Sequence, residues 1–256
     1  FSMKRADSAY LSGLTEFSVF QQSVINNLLS NNNYTARINN FNSTLKLRCG
    51  HNHSEVLRSY QRVFRQAAPA PAFSTLDEYY IYLASLQSIT NIQNSYLTVV
   101  ELREKISASS KRIATLYSPK FRETAKTYQD VAATINLVPA FITQSEANLF
   151  ISNLNEFIEV QECYLRDYNR LTAIGDHGDS IAKHCSMKYS DVAKAYRQIS
   201  EINSMTPKYQ SLDDAARFGS EMDRFETIQQ QFDTILAMRI RCDAIQDSIN
   251  KGWMQH

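Results

Sequence analysis

Glycine and proline are scarce, six and five in 256 residues. A chain with so few helix breakers and left-handed turns favours long uninterrupted helices, and strand-type alternation is equally hard to find, so the expected fold is all-α. No apolar run approaches the eighteen or so residues that a membrane-spanning helix needs, and the N-terminus lacks the apolar core of a signal sequence. The expectation is a soluble chain, whose opening Phe1-Ser2 is compatible with a processed end. Net charge is also lacking: 27 basic against 26 acidic side chains leave +1, which provides no global field to recruit nucleic acid. An anionic partner has to be met by a local patch. The four cysteines, Cys49, Cys163, Cys185 and Cys242, lie far apart and match no zinc or redox spacing. They fit buried thiols in a reducing compartment, and they also fit two disulfides. There is no glycine-rich phosphate loop, no nucleophile elbow and no His-Glu-x-x-His motif, so neither enzymatic activity, nor a cofactor, nor a small-molecule substrate is expected.

What the chain does have is apolar periodicity, with 43% hydrophobic residues to build a core. Its longest seam runs from Glu146 to Asn203 through Phe150, Leu154, Phe157, Gln161, Tyr164, Tyr168, Leu171, Gly175, Gly178, Ala182, Cys185, Tyr189, Val192, Tyr196 and Ile199. Alternating steps of four and three are helical. One unbroken helix over this span would be about 87 Å long at 1.5 Å per residue, so an elongated bundle of long amphipathic helices is expected. The stretch Gly175-Asp-His-Gly178-Asp-Ser also reads as the end of one helix and the capped start of another. A continuous but bent helix is the preferred reading. The hairpin alternative would bring Cys163 and Cys185 onto facing helices, within reach of a disulfide if their Cα atoms approach to roughly 5.5–6 Å.

Elsewhere a first amphipathic helix carries Tyr10, Leu14, Phe17, Val24 and Leu28, and Ser30-Asn-Asn-Asn33 suggests a break or kink before the pattern resumes through Ile38, Phe41 and Leu45. Cys49 to Ser54 reads as a turn, with Ser54 capping the next helix. The Pro/Ala connector at 67–73 is the best boundary, giving an N-terminal helical segment over 1–66 and three long helices over 74–256 as the main bundle. Pro119 and Pro139 interrupt the first of these three, and Asn203 to Lys208 is a turn before a last helix ending near Trp253. No internal repeat is evident from the letters.

Several residue groups could carry chemistry. Cys49, His51 and His53 resemble a partial metal set without a fourth ligand, and a surface turn is the plainer account. His177 and His184, with Asp176 and Asp179, could form a titrating pair or simply a solvated helix face. Asn33, Asn42 and Asn52 head three N-glycosylation sequons within twenty residues, which matter only in a secreted chain. Between Arg103 and Lys126 there are seven basic residues against two acidic ones. Of these, Lys111, Arg112, Lys120, Arg122 and Lys126 are the candidate contacts for anionic lipid, each worth roughly 1 kcal/mol near a bilayer. A second basic group is Lys183, Lys188, Lys194 and Arg197.

The pattern Phe41-Asn-Ser-Thr-Leu-Lys-Leu-Arg-Cys-Gly50, with Glu221-Met-Asp-Arg-Phe-Glu226, Phe232-Asp233 and a late Trp253, resembles the BAR domains of sorting nexins. That resemblance implies a dimeric, crescent-shaped coiled coil on curved membranes. The expected function is therefore a non-enzymatic cytoplasmic scaffold, peripheral to the membrane, for trafficking partners, with a homodimer or a helical protein as partner. The alternative is a secreted or surface-displayed helical bundle, with disulfides and N-glycans, that binds another protein.

Overall fold

The computed structural model describes residues 2–67, 76–185, 187–202 and 205–253. Among these, the chain is all-α: α1 Ser2–Cys49, α2 Ser54–Ala67, α3 Leu76–Lys120, α4 Arg122–Thr134, α5 Gln144–His184, α6 Ser190–Ile202 and α7 Leu212–Trp253, with a 3-10 turn at Met187–Tyr189 before α6. The connector assigned to 67–73 lies almost wholly outside the described residues. α1 passes through Ser30 to Asn33 without a break. Asparagine is only a modest helix destabiliser, and three in a row do not outweigh a helix of this length.

The order alternates long and short helices, and the spacing is regular. Short helices begin at 54, 122 and 190, and long helices at 76, 144 and 212, each step being 68 residues. The expectation that the chain holds no internal repeat is thereby corrected. Its units are three modules. In each, the C-terminal part of one long helix, the short helix that turns back along it, and the N-terminal part of the next long helix pack together. Every interior long helix serves two modules in succession.

The packing repeats with the register. Tyr60 meets Tyr96 edge-on with ring centroids 5.2 Å apart, Tyr128 meets Tyr164 at 5.1 Å, and Tyr196 meets Phe232 at 5.3 Å. Edge-to-face pairs at this separation are favourable beyond the area they bury. The loop before the next long helix adds another ring, Phe141 on Tyr96 and Tyr209 on Tyr164, both at 4.4 Å. Leu45, Ile113 and Ile181 hold equivalent first-helix positions and are buried in all three modules.

Capping explains where the long helices start. Thr143 Oγ1 accepts from the Glu146 N–H (3.3 Å), while Glu146 Oε2 accepts from the N–H groups of Ile142 (2.8 Å) and Thr143 (3.1 Å). Ser211 and Asp214 repeat the arrangement one module later, with Asp214 Oδ2 accepting from Gln210 and Ser211. Both are reciprocal capping boxes, in which otherwise orphaned backbone donors find partners. These backbone donors hold the Glu146 and Asp214 carboxyls below the usual range.

The described residues group into two compact units, one of Phe1–Arg103 with Asn136–Asn153 and one of Glu104–Ile135 with Leu154–His256. The division falls inside α3 and α5, where modules share a helix, and not at the Pro/Ala connector. The first unit holds the first module. The second unit holds the bodies of the other two.

The long seam of 146–203 is not one helix. α5 runs straight through Gly175 to Asp179, as the continuous reading expects, but ends at His184, and the chain reverses over Cys185 to Tyr189 before α6. Cys163 and Cys185 therefore lie on one rod, about 33 Å apart at the helical rise, and cannot bond to each other. All four cysteines are free thiols.

Candidate functional site

The most specific polar feature of the fold is a hydrogen-bonded node that recurs in each module. In the first, Gln93 on the third helix donates Nε2 to the Ile38 carbonyl (3.5 Å), to Tyr60 Oη (2.7 Å) and to Asn42 Oδ1 (3.4 Å). In the second, Gln161 donates to the Ile106 carbonyl (3.1 Å), Tyr128 Oη (2.6 Å) and Ser110 Oγ (3.0 Å). The third joins Gln229 to the Ile174 carbonyl (2.8 Å) and Tyr196 Oη (2.9 Å). All three glutamines have zero solvent exposure. Sequence separations are identical, 55 residues from glutamine to carbonyl and 33 to tyrosine.

The chemistry of the node is positional. A helical carbonyl already bonded to its own i+4 N–H keeps a second lone pair, and a buried glutamine amide can use it. Because the tyrosine comes from the short helix, one side chain fixes three helices along their axes. A shift of any one helix by a residue would leave buried donors without acceptors, at roughly 1–3 kcal/mol each. Each glutamine Oε1 is buried without a protein hydrogen-bond partner.

Position 42 and its equivalents differ between modules. Tyr60 donates to Asn42, and Ser110 Oγ and Tyr128 Oη are 2.7 Å apart. At the third position Gly178 leaves room for the phenol: a Cβ there would collide with Tyr196 Oη. Grooves beside the first and third nodes are lined at equivalent places, by Asn42, Ser43, Lys46 and Tyr60 in one and by Gly178, Asp179, Ala182 and Tyr196 in the other.

Other ionisable groups are engaged in structure. Asp167, 2% exposed, accepts from Tyr209 Oη (2.8 Å) and pairs with Arg166 Nε (2.9 Å). Burial, reinforced by that carboxylate, pushes the Tyr209 phenol upward. Arg170 forks onto Glu226, with Nε to Oε1 at 2.7 Å and Nη2 to Oε2 at 2.8 Å, and also reaches Asp223. His177 and His184 do not form a pair. His177 Nε2 hydrogen-bonds with Asp233 (2.7 Å), and His184 Nδ1 faces the Ser180 carbonyl of its own helix (2.8 Å). Asp176 meets Lys120 at 3.6 Å. Among the described residues no three His, Cys, Asp or Glu side chains are placed to hold a metal, the Cys49, His51 and His53 set included. Burial pushes the Cys49 thiol up, away from the thiolate a metal would need.

Of the sequon asparagines, Asn33 and Asn52 are exposed, whereas Asn42 is half-buried with its amide oxygen bonded in the first node. All five candidate lipid contacts are exposed, and all belong to the second unit: Lys111, Arg112 and Lys120 on the end of α3, and Arg122 and Lys126 on the start of α4. Of the second basic group, Lys188 is tied to Asp243 (2.9 Å).

Reading the letters one seam at a time finds Gln161 and Tyr196 but not the node they belong to. The signal was available in Gln93, Gln161 and Gln229, in Tyr60, Tyr128 and Tyr196, and in the Pro-x-aromatic letters at Pro71, Pro139 and Pro207, all stepping by 68. Compared with protein families, with curated proteins and with solved structures, the chain matches none.

Proposed function

We propose that the chain is a non-enzymatic scaffold that rests on anionic membrane surfaces on the cytoplasmic side, and that the end of α3 and the start of α4 make the contact. The observation that carries this reading is the set of five exposed cations on that one helical hairpin. Lys120 has Asp176 at 3.6 Å, and Lys111, Arg112, Arg122 and Lys126 make no ion pair within 4 Å among the described residues. Cations without local partners are the ones that gain most from a negative surface. The polar groups of the interior support the scaffold half of the reading, because the node residues are spent on fixing helix register.

The BAR-type reading expects two copies zipped along a long seam. Leu154, Phe157, Gln161, Tyr164 and Leu171 of that seam are buried within one chain, so these positions of the seam do not call for a second copy. The proposal therefore keeps the membrane and the scaffold and leaves that dimer aside.

Co-sedimentation with phosphatidylcholine vesicles, with and without phosphatidylserine, tests it. The unmodified protein should pellet with the anionic vesicles at low salt and be released as salt rises, since exposed charges are screened within about 10 Å at 0.1 M. Reversing Lys120, Arg122 and Lys126 to Glu removes three contacts worth roughly 1 kcal/mol each, so binding should weaken by about a hundredfold or more. No pelleting of the unmodified chain at low salt would overturn the proposal.

A further inference from the structure

The repeat extends past the three complete modules in both directions, and at each end it leaves a half-module face uncovered. The first-helix positions Ile38, Ile106 and Ile174 are 5%, 3% and 9% exposed; the next in the series is Cys242 on α7, which is exposed. Leu45, Ile113 and Ile181 are at most 1% exposed, whereas their successor Ile249 is 47% exposed. Among the described residues of the second unit, the end of α7 thus carries a first-helix face with no second or third helix upon it.

α1 carries the opposite half. Third-helix positions Tyr79, Ala147 and Ala215 are buried, and their predecessor Leu11 is 62% exposed. Tyr82 packs against the cluster of Ile38, Leu86 and Ile89, and its predecessor Leu14 is exposed. Where Gln93, Gln161 and Gln229 are fully buried, α1 has Ile25, 52% exposed. Among the described residues of the first unit, the start of α1 is a third-helix face without a first helix beside it.

We propose that copies of the chain associate head to tail, the end of α7 in one copy packing in parallel against the start of α1 in the next. The partner is a second copy because the two faces are the two halves of an interface that the molecule already makes three times. First and third helices of a module touch directly, as the Gln93 bond to the Ile38 carbonyl and the packing of Ile38 with Leu86 and Ile89 demonstrate. The residue at 25 fits this joint in particular. A buried glutamine needs the tyrosine of a short helix, and a joint of α7 with α1 has no short helix, so an apolar Ile25 leaves no donor unsatisfied there. Cys242 stands where the carbonyl-bearing isoleucines stand and adds no charge. Such an interface is heterologous: each copy offers one face of each kind, so further copies can add at either end until the rotation between copies closes a ring.

The test uses the full chain in solution without vesicles, which keeps it separate from the membrane reading. Light scattering and sedimentation equilibrium should show a weight-average mass that climbs with concentration and passes two copies by about 100 µM. Ile249→Glu and Ile25→Glu, both at exposed positions and both expected to keep full helicity by circular dichroism, should each be monomeric alone. Mixed together they should form a dimer and no larger species, because each supplies the face that the other has lost. A monomeric unmodified protein at the same concentration would overturn the proposal. So would an Ile25→Glu variant that still dimerises alone, which would indicate a two-fold contact between α7 helices, and so would a mixture that stays monomeric.

Discussion

Where the first module has Asn42, whose amide oxygen accepts from Tyr60 and Gln93, the third has Gly178 and no side chain at all. The glutamine, the tyrosine and the helical carbonyl are the same in both. What varies is the group that occupies the remaining space: an amide in the first, the Ser110 hydroxyl in the second, and in the third a phenol moved close against bare backbone. The comparison separates the part of the node that sets register from the part that fills volume. It also gives one glycine a reason that has nothing to do with turns. Gly178 and Gly175 lie one helical turn apart in α5, yet a Cβ on Gly178 meets Tyr196 whereas a Cβ on Gly175 meets nothing within 4 Å.

The largest effect should come from the constant part. Gln161→Ala removes three hydrogen bonds and opens a cavity beside Tyr128, and should cost about 3 kcal/mol in denaturant unfolding. Gln93→Ala should cost less, because its bonds to the carbonyl and to Asn42 are longer. Equal losses at the two positions would break the comparison.

Alkaline titration comes next and probes one tyrosine in each unit. Burial pushes the phenols of Tyr96 and Tyr164 up to about 12. Each is neutral in the fold, so its contribution is complete below pH 10 and is lost as pH rises through about 12. The loss is on the order of 2–3 kcal/mol per residue. Ultraviolet absorbance should show these tyrosines ionising late and together with unfolding, and ionisation near pH 10 with the helices intact would contradict their burial.

The variable part is smaller and of either sign. Gly178→Ala should destabilise by about 1–2 kcal/mol, the cost of pushing Tyr196 aside less the gain in helix propensity. Gly175→Ala, in open space, should stabilise by up to about 1 kcal/mol. Thermal melts of the two variants side by side are enough, and a shared sign would refute the distinction.

Much of the helical content was legible because its causes are local. Ser54 begins α2, Pro119 falls in the last turn of α3, and α7 starts beside Ser211 and Asp214. The reversal at Cys185 to Tyr189 was not legible, for a physical reason. Both arms of that hairpin face the same core, so Leu171 and Ile181 on α5 and Val192 and Tyr196 on α6 carry a single apolar phase across the turn. The glycines at 175 and 178 drew attention ten residues too early, since one answers to packing across the module and the other has no neighbour. The repeat escaped because few letters carry it: Gln, Tyr and the Pro-x-aromatic motif recur at 68 residues, but equivalent positions such as Asn42, Ser110 and Gly178 share a place and no chemistry. The exposed cations were legible as charges, though only the fold reveals that they gather on one hairpin.

A double-mutant cycle on Gln161 and Tyr128 tests the register node most directly. Gln161→Ala, Tyr128→Phe and the double variant are compared by equilibrium unfolding. If amide and phenol act as one node, the second substitution should cost about 1 kcal/mol less once the first is made. Losses that add to within about 0.3 kcal/mol would show two independent buried side chains and contradict the account.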